Sequence, residues 1–386
     1  MTALIKNDAD LIQTAQEFAK SQIAPNAKTW ERERRIGLDT LKKAAQLGFT
    51  GIQVPVNHGG LGFSFSCKAR ILEIFAGEDF GFALSLVNTH NVAEKLARQA
   101  SSRLIKAYVT DILAANILGC TALTEAGAGS DVSAIQTLAA KVPNGWLLHG
   151  EKSWIVNATM ADVIIVYAQT EAGSGTSGIA AFVVDAKRSG FIREPALHVA
   201  EQYSIGTGGF RLDGYEALPD EMLVPPGLAF KSVMDEINGA RVYVAAMCCG
   251  MVDKALHICA EYSRRRTTFG KPLNTRQGLR WRMADAKIDL TAAQLMVSQA
   301  AGQIDDGIDV QLNAAQAKIF STRMAERHLP ALIQTMGAEG LRERYPLCRH
   351  LIGSRIAGLV DGSTEILLER VASFVNEYEY PKDEVS

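Results

Sequence analysis

The sequence has 386 residues, with 40 Lys and Arg against 42 Asp and Glu, so its formal net charge at pH 7 is −2. At roughly 150 residues per domain, this length predicts two or three packed units, and 47% hydrophobic with 21% charged residues is ordinary globular composition. The near-neutral balance excludes a polybasic protein that binds nucleic acid by phosphate neutralisation alone, and it argues against an acidic disordered chain.

The sequence carries no clear signal for a membrane, for secretion or for a metal. No stretch approaches the ~18 consecutive apolar residues of a membrane helix, and residues 1–10 lack the apolar core of a secretory signal. The six cysteines form no C-x-x-C pair, and no His, Cys and carboxylate side chains show metal-ligand spacing. We therefore expect a cytoplasmic protein with reduced thiols, no membrane span and no metal.

The first third of the chain is predicted to be helical. Apolar residues recur at helical spacing over residues 11–23, and a second helix is expected over 40–47, with Asp39 as its N-cap. After a turn-rich break at residues 55–62, the same spacing predicts further helices over 67–76, 82–98 and 102–115. These patterns predict a helical domain over residues 1–118.

Near Gly119 the pattern changes to short β-branched runs bounded by Gly, Ser, Thr or Asn, at residues 146–150, 163–167 and 179–184. A β domain is therefore predicted over residues 119–227. Long helical patterns then return over residues 230–263, 277–304 and 312–336, with a final pair within 346–374. They predict a helical bundle over 228–386. Strands and helices do not alternate, and no G-x-G-x-x-G follows a strand, which argues against a Rossmann fold.

Two segments of the predicted β domain carry candidate binding residues. The small residues 127–129 let backbone N–H groups approach a ligand closely, and Thr124 and Ser130 add hydroxyl groups. A surface loop with Ser130 as a helix cap explains the same residues. In the second segment, at residues 150–157, Trp154 either covers the face of a planar ring or packs in the core.

Two further segments lie in the predicted bundle. Residues 264–273 begin with three consecutive arginines at the junction of two long helices. These arginines either bind a phosphate group or complement the helix dipole. Asp361 and Gly362 form an ordinary turn dipeptide, with Ser363 or Thr364 as the N-cap of a following helix. The alternative is that Asp361 is a catalytic carboxylate presented at a helix start.

Together, and in this order, the four segments resemble those of the acyl-CoA dehydrogenase family of flavoenzymes. The T-E-x-x-A-G-S-D stretch at residues 124–131 and R-x-x-F-G at 266–270 are specific, whereas W-I-x-N at 154–157 is a weaker match. The turn at 55–62 is similar to that family's proline-to-Gly-Gly-Leu-Gly loop. The resemblance covers nearly the whole chain. It implies an α+β fold with an N-terminal all-α domain, a middle β-barrel or sandwich domain and a C-terminal four-helix bundle.

The resemblance also implies a non-covalent FAD between the β domain and the bundle. By motif, the residues that line the flavin are Leu123, Thr124 and Ser130, with Trp154 and Val156 beside the isoalloxazine ring. Those on the pyrophosphate and adenosine side, usually of a neighbouring subunit, are Arg266, Thr268, Phe269 and Gln277. Gln334 and Gly337 resemble the family's Q-x-x-G-G loop, which meets FAD across the dimer interface, and Ser363 and Glu365 are expected at the cofactor too. A homotetramer built as a dimer of dimers is thus implied.

Substrate-side residues follow from the same resemblance. Ser130 matches the serine near the thioester and pantetheine, and Gly362 is expected beside the substrate. Arg241, with Asn238 three residues earlier, resembles the D-x-x-R pair that meets the CoA moiety. Asparagine here replaces the family's aspartate, so the contact with CoA is less closely matched.

The reaction of this family is α,β-desaturation: a carboxylate removes the α-proton while the β-hydrogen leaves as hydride to flavin N5. An α-proton of a thioester is a weak acid, so the carbonyl needs hydrogen bonds and the base needs a dry pocket that raises its pKa. The base position falls on Asp361, where the commonest family residue is glutamate; the other known location is Ala240, which cannot serve. Aspartate is one methylene shorter, and a misplacement of ~1 Å costs on the order of 10²-fold in rate.

Three functions stay open from the sequence. The first is an acyl-thioester dehydrogenase that uses acyl-CoA or an acyl-carrier protein and passes electrons to an electron-transfer flavoprotein. The second is a flavin oxidase related to nitroalkane oxidase, which uses an aspartate base. The third is an accessory subunit of a mixed dehydrogenase assembly, which would lack bound flavin.

Overall fold

The computed structural model describes residues 7–197 and 199–376. Its N-terminal part is helical, as predicted: α1 (Asp8–Phe18), α2 (Ala27–Glu33), α3 (Leu38–Gln46), α4 (Phe65–Glu78), α5 (Phe80–Gln99), α6 (Ser102–Leu104) and α7 (Thr110–Leu113). π-helical turns extend α1 over Ala19–Ile23 and join α6 to α7 over Ile105–Val109. Aromatic rings fill the space between these helices, with the Phe49 and Phe75 rings perpendicular and 5.0 Å apart.

Two N-terminal details differ from the sequence predictions. The prediction of Asp39 as a helix N-cap is wrong, because α3 starts at Leu38 and Gly37 holds the cap position. Helix α2 was not predicted, since it is only seven residues long and mostly polar. Tertiary packing stabilises it: the Trp30 indole stacks on Phe82 with ring centroids 5.4 Å apart.

The middle part is a single eight-stranded sheet. Its strands are β1 (Gly119–Ala122), β2 (Leu138–Val142), β3 (Gly145–Ile155), β4 (Val163–Gln169), β5 (Ile179–Asp185), β6 (Phe191–Arg193), β7 (Gly208–Ala217) and β8 (Met222–Val224). The order is β6-β7-β3-β2-β4-β5-β8, with β1 parallel to β4. Alternate residues of β4 enter two different apolar clusters, with Ile165 in the one that includes α5 and Ile164 in the one inside the sheet. Burial on both faces explains why β4 is a continuous apolar run.

The C-terminal part is the predicted helical bundle. Its helices are α8 (Ala229–Arg265), α9 (Gln277–Asp305), α10 (Gln311–Met336), α11 (Leu347–Leu359) and α12 (Thr364–Asn376), and a short hairpin of β9 (Thr267–Thr268) and β10 (Lys271–Pro272) joins α8 to α9. Helix α8 is the central element, because it packs against α4, α9, α10 and α11. Helix α8 is also long and apolar enough to cross a membrane, yet 72% of its most apolar window is buried inside the protein. Such burial is typical of the core helix of a globular domain.

The cysteines are free thiols: Cys67, Cys120, Cys248, Cys249 and Cys259 are buried, and Cys348 is partly exposed. Within residues 7–197 and 199–376, no group of three or more His, Cys, Asp or Glu side chains could hold a metal ion.

Buried acidic groups meet where α2, the start of α5 and α11 come together. Glu31 Oε1 and Asp79 Oδ2 are buried without a hydrogen-bond donor among the described residues. Arg349 Nε lies 3.7 Å from Asp79 Oδ2, which is too far for a good hydrogen bond. Burial, assisted by the charge of Asp79, raises the pKa of Glu31 to about 7.

We expect Glu31→Gln to stabilise the protein, and more at pH 8 than at pH 5. A carboxyl group whose pKa is raised on folding stabilises fully below its unfolded pKa, near 4.5, and loses that contribution as the pH rises through 7. The gain at pH 8 should be about 1–2 kcal/mol, because Glu31 keeps part of its hydration. Chemical denaturation at both pH values measures it. The exposed neighbour Glu33→Gln is the control, and equal effects of the two variants would contradict the prediction.

Candidate functional site

The loop at residues 123–131 presents an open backbone surface. A β-bridge between Glu125 and Ala128 closes the loop. A Cβ added at Gly127 would meet no heavy atom within 4 Å, and one at Gly129 would meet only Thr124 Cγ2, at 3.8 Å. Ser130 is exposed. The alternative of Ser130 as a helix cap is wrong, because Asp131 caps the following turn by accepting a hydrogen bond from the Ser133 N–H at 3.1 Å.

A buried ion pair supports this loop from below. Lys152 Nζ donates to Glu125 Oε1 at 2.8 Å and to the Leu123 carbonyl at 2.8 Å, and Lys152 is 1% exposed. Burial lowers the pKa of Lys152 to about 8, with the charge of Glu125 opposing this shift. Burial also raises the pKa of Glu125, but Lys152 and the hydrogen bonds outweigh it and leave that pKa lowered. The pair is therefore charged at pH 7, and it fixes the backbone at Leu123.

Trp154 lies next to that loop, and its side chain points out of the core. Ser153 N–H donates to the Thr124 carbonyl at 3.1 Å, which ties the two segments together. The pairing of β3 with β7 shifts between Lys152 and Ile155, and Trp154 takes a left-handed φ of 61° within this irregularity. Trp154 is 58% exposed, so the alternative of core packing is wrong.

The other two residues at the end of β3 are more enclosed than Trp154. Val156 is partly buried against the main apolar cluster. Asn157 is fully buried, where its Nδ2 donates to the Ser85 carbonyl at 2.8 Å and its Oδ1 accepts from Ser85 Oγ at 2.6 Å. Asn157 therefore anchors the segment, and the exposed indole is available for a planar partner.

The β9–β10 hairpin forms a second candidate region. Phe269 is 95% exposed with a φ of 50°, and an open groove of about 490 Å³ runs beside it, lined by Thr268, Phe269, Arg276, Gly278, Leu279 and Arg282. The Arg276 guanidinium lies 5.6 Å above the Phe269 ring, and its Nη2 donates to the Thr268 carbonyl at 2.7 Å. Sequence reasoning missed Arg276 and Arg282, although both flank the predicted Gln277.

The remaining residues predicted on the pyrophosphate and adenosine side are exposed in this single chain, as are those of the predicted Q-x-x-G-G loop. Arg266 is the C-cap residue that follows α8, Gln277 begins α9, and Gln334 lies in the last turn of α10. Gly337 follows with a φ of 61° and no heavy atom within 4 Å of an added Cβ. Within the described residues, no hydrogen bond joins this region to the loop at 123–131.

Asp361 lies between the end of α11 and the start of α12, in a segment of residues 360–362 that we call the base loop. Asp361 has a left-handed φ of 55°, and Gly362 follows with a φ of 97°. Burial raises the pKa of the Asp361 carboxyl, while the charges of Lys318 and Arg241 oppose this shift. The arrangement gives an acid that is harder to ionise than an exposed aspartate, next to two cations.

Arg241 connects α8 to the base loop. Its Nε donates to the Asp361 carbonyl at 3.0 Å, and its Nη1 donates to Asn238 Oδ1 at 2.7 Å. Both Asn238 and Arg241 are buried, and Arg241 Nη2 would lie 3.4 Å from a Cβ added at Gly362. The structure thus brings together all three predicted substrate residues of the bundle with Asp361, and two nitrogens of Arg241 are already engaged within the chain.

Lys318 is a member of this cluster that sequence reasoning missed. It lies on α10, is 1% exposed, and its Nζ donates to the carbonyls of Val360 and, at 2.6 Å, Gly362. A lysine three and four residues after Ala315 and Ala314 shares their apolar helix face and is a signal for a buried charge, although the sequence does not identify its partner.

Ser363 and Glu365 lie at the start of α12. The Ser363 carbonyl accepts a hydrogen bond from the Leu367 N–H at 3.1 Å, which fits a residue preceding the first turn, and Glu365 is exposed. Their predicted contact with the cofactor stays a prediction.

Comparison with known proteins identifies the family. Models of the N-terminal, middle and C-terminal domains of acyl-CoA dehydrogenase match residues 6–116, 120–214 and 230–375. The chain belongs to the acyl-CoA dehydrogenase family. The resemblance inferred from the motifs is thereby confirmed, as is the fold class, whereas the domain boundaries at 118/119 and 227/228 stay predictions.

Individual relatives match this chain along nearly their whole length. The short-chain acyl-CoA dehydrogenase of Megasphaera elsdenii is 29% identical over 364 residues, which are 93% of this chain and 95% of that protein. The solved structure of butyryl-CoA dehydrogenase from Megasphaera elsdenii has a TM-score of 0.92 at 28% identity, covering 97% and 99% of the two chains. An FAD complex of PigA has a TM-score of 0.90 at 25% identity, covering 97% and 99%.

Acyl-CoA dehydrogenases are FAD-dependent oxidoreductases, and the residues of this chain fit that cofactor. The open backbone at Gly127 and Gly129 leaves room for a ring system, the exposed Trp154 indole offers a planar face, and the groove with Arg276 and Arg282 suits a pyrophosphate. The carbonyl of Leu123 is fixed by Lys152, so the backbone on the predicted flavin side is held in place.

Proposed function

We propose that this chain desaturates an acyl thioester between Cα and Cβ, with Asp361 as the base that removes the α-proton. The observation that carries this proposal is the Asp361 carboxyl, which is partly buried on a loop whose backbone carbonyls are bound by two cations. Bound FAD supplies the hydride acceptor. Asp361 holds the abstracted proton, and the positive charges of Arg241 and Lys318 keep a larger share of this base ionised than burial alone would allow.

The proposed thioester carrier is CoA, with an acyl-carrier protein as the variant. Arg241 is 9% exposed, and its guanidinium already donates to Asn238 and to the Asp361 carbonyl. Few of its N–H groups are therefore left to bind the carrier. Ser130, in the predicted β domain, is exposed, so its hydroxyl is accessible to the thioester. We therefore assign Ser130 to the thioester arm and Arg241 chiefly to the base loop.

The proposed homotetramer is supported by an apolar stripe on α9. Trp281, Ile288 and Leu295 follow each other at seven-residue spacing, so they lie on one face of the helix, and each is more than 60% exposed. Such a stripe on a helix of a globular protein indicates burial by another subunit. Phe269, which is 95% exposed, would be covered by the same association.

The proposed electron acceptor is an electron-transfer flavoprotein. Its support is the exposed Trp154 at the predicted flavin, which leaves an aromatic surface where a partner can approach. We also propose a cytoplasmic location, because the six cysteines are free and five of them are buried.

The purified protein should be yellow, and anaerobic mixing with a panel of acyl-CoAs should bleach the flavin absorbance with at least one of them. The relatives named above point to short chains first. Absorbance at the flavin maximum measures the reaction in a single turnover. A yellow protein whose flavin no acyl thioester reduces would contradict the proposal, and a colourless folded protein would favour an accessory subunit.

Asp361 also favours a second candidate, a flavin oxidase of the nitroalkane-oxidase type. The two functions differ after reduction. Rapid reoxidation of the reduced protein by O₂ with formation of peroxide would support the oxidase, and slow reoxidation would support the dehydrogenase.

A further inference from the structure

Three consecutive carbonyls of the base loop are each bound by a buried cation. Lys318 Nζ donates to the Val360 and Gly362 carbonyls, and Arg241 Nε donates to the Asp361 carbonyl between them. The two cations approach from different helices, Lys318 from α10 and Arg241 from α8. The Asp361 carboxylate takes no part in these hydrogen bonds, so the backbone of the loop is held while its side chain stays available for chemistry.

The loop needs such support because its conformation is unfavourable on its own. Helix α11 ends at Leu359, so the carbonyls at its end lack helical partners. Asp361 is a non-glycine residue with a φ of 55°, a conformation that persists only where the surroundings hold it. An ammonium group satisfies the carbonyls on both sides of this residue, and a cation is also favoured at the C-terminus of a helix.

We propose that Lys318 is a positioning residue for Asp361, which fixes the backbone of the base loop and thereby the distance from its carboxylate to the substrate. The inference rests on the proposed role of Asp361 as the base. A short base makes this distance critical, because a displacement of about 1 Å costs on the order of 10²-fold in rate.

Lys318 also acts on Asp361 through its positive charge. Asp361 is faced by Lys318 from α10 and by Arg241 and Tyr243 from α8, and Arg370 of α12 lies near Arg241. On its other side Lys318 faces Cys248, whose pKa burial raises to about 12, so this thiol is neutral. The positive charge of Lys318 lowers the pKa of Asp361 against the effect of burial. Removing that charge should raise the pKa of the base.

Lys318→Met tests the proposal, because it removes the ammonium and keeps most of the apolar stem. With an acyl-CoA that reduces the wild-type flavin, we expect the limiting rate of anaerobic reduction per bound flavin to fall about 10²-fold. The midpoint of its pH dependence should move up by about 1 pH unit, since the base must be ionised to react. Flavin content should stay near that of the wild type.

The matched control is Lys254→Met. Lys254 is a half-buried lysine of α8 that binds Glu78 at 2.6 Å, and it lies thirteen residues beyond Arg241, roughly 20 Å along the helix. Its loss should lower thermal stability without changing the reduction rate per flavin or its pH midpoint. A merely structural role of Lys318 would give this same pattern, and that result would overturn the proposal.

A second variant, Lys318→Arg, tests the proposal if Lys318→Met does not fold. Lys318→Arg keeps the charge but replaces a compact ammonium with a planar fork that cannot bridge the same two carbonyls equally. The flavin of Lys318→Arg should be reduced about 10-fold more slowly than that of the wild type, with an unchanged pH midpoint. A wild-type rate of flavin reduction would overturn the proposal. Failure of the proposed function would give different results: no acyl thioester would reduce the flavin of the wild-type protein, or the flavin of Asp361→Asn would still be reduced at the normal rate.

Discussion

Asp361→Asn should abolish flavin reduction by acyl thioesters while leaving FAD bound. Asparagine has the same shape but cannot accept the α-proton, and loss of a general base costs typically 10²–10⁴-fold. We expect a loss of roughly 10²–10⁴-fold in the single-turnover rate, with the flavin spectrum of the oxidised protein unchanged. Asp306→Asn is the control, because Asp306 is an exposed aspartate at the C-cap of α9. Normal reduction by Asp361→Asn would refute the base assignment.

The wild-type rate should itself rise with pH. Burial raises the pKa of Asp361 above its ordinary value of 3.8, so a larger share of the protein carries a protonated, inactive base at low pH than an exposed aspartate would allow. The limiting reduction rate should therefore fall as the pH is lowered through that pKa. In Asp361→Asn any residual rate should lose this dependence.

Asp361→Glu tests whether the backbone of the base loop is adapted to the shorter side chain of aspartate. The base loop is held by Lys318 and Arg241, so the backbone cannot retreat freely to accommodate one more methylene. We expect Asp361→Glu to keep activity but at a rate 10- to 10²-fold below the wild type. A rate above the wild type would mean instead that aspartate is the misplaced residue at this position.

The sequence predicts the long elements of this fold well, because periodic apolar patterns specify them. Helix α8 was predicted over 230–263 and observed over Ala229–Arg265, and the buried run of β4 was predicted as a strand. Short elements depend on tertiary contacts instead. Helix α2 is stabilised by the stacking of Trp30 on Phe82, which no local pattern indicates.

The candidate site shows the same division. Motifs predict roles for Asp361, Arg241 and the loop at 123–131, because their residue types and spacing are distinctive. Lys318 and Lys152 were missed, since a lone lysine in an apolar pattern does not tell which distant carbonyl or carboxylate it binds. Trp154 illustrates the reverse: its position was predicted, but the irregular pairing that turns its indole outward is a property of the assembled sheet.

Lys152→Met should destabilise the protein by about 3–5 kcal/mol, because it leaves the buried Glu125 carboxylate without its cation. Glu125 would retain the hydrogen bonds from the Gln136 and Thr137 N–H groups, at 2.7 and 2.9 Å, which places the loss near the lower end of that range. Chemical denaturation of the flavin-free protein measures it. Lys141→Met, an exposed lysine of β2, is the control and should change stability little.

A second substitution separates the charge effect from the hydrogen bond to Leu123. In Lys152→Met with Glu125→Gln no buried charge is left unpaired, so the double variant should be more stable than Lys152→Met alone. Neither variant restores the donor to the Leu123 carbonyl, which lines the predicted flavin site. We therefore expect both to bind FAD more weakly than the wild type, even where stability recovers. Recovery of FAD affinity together with stability would show that Lys152 acts on the site only through its charge.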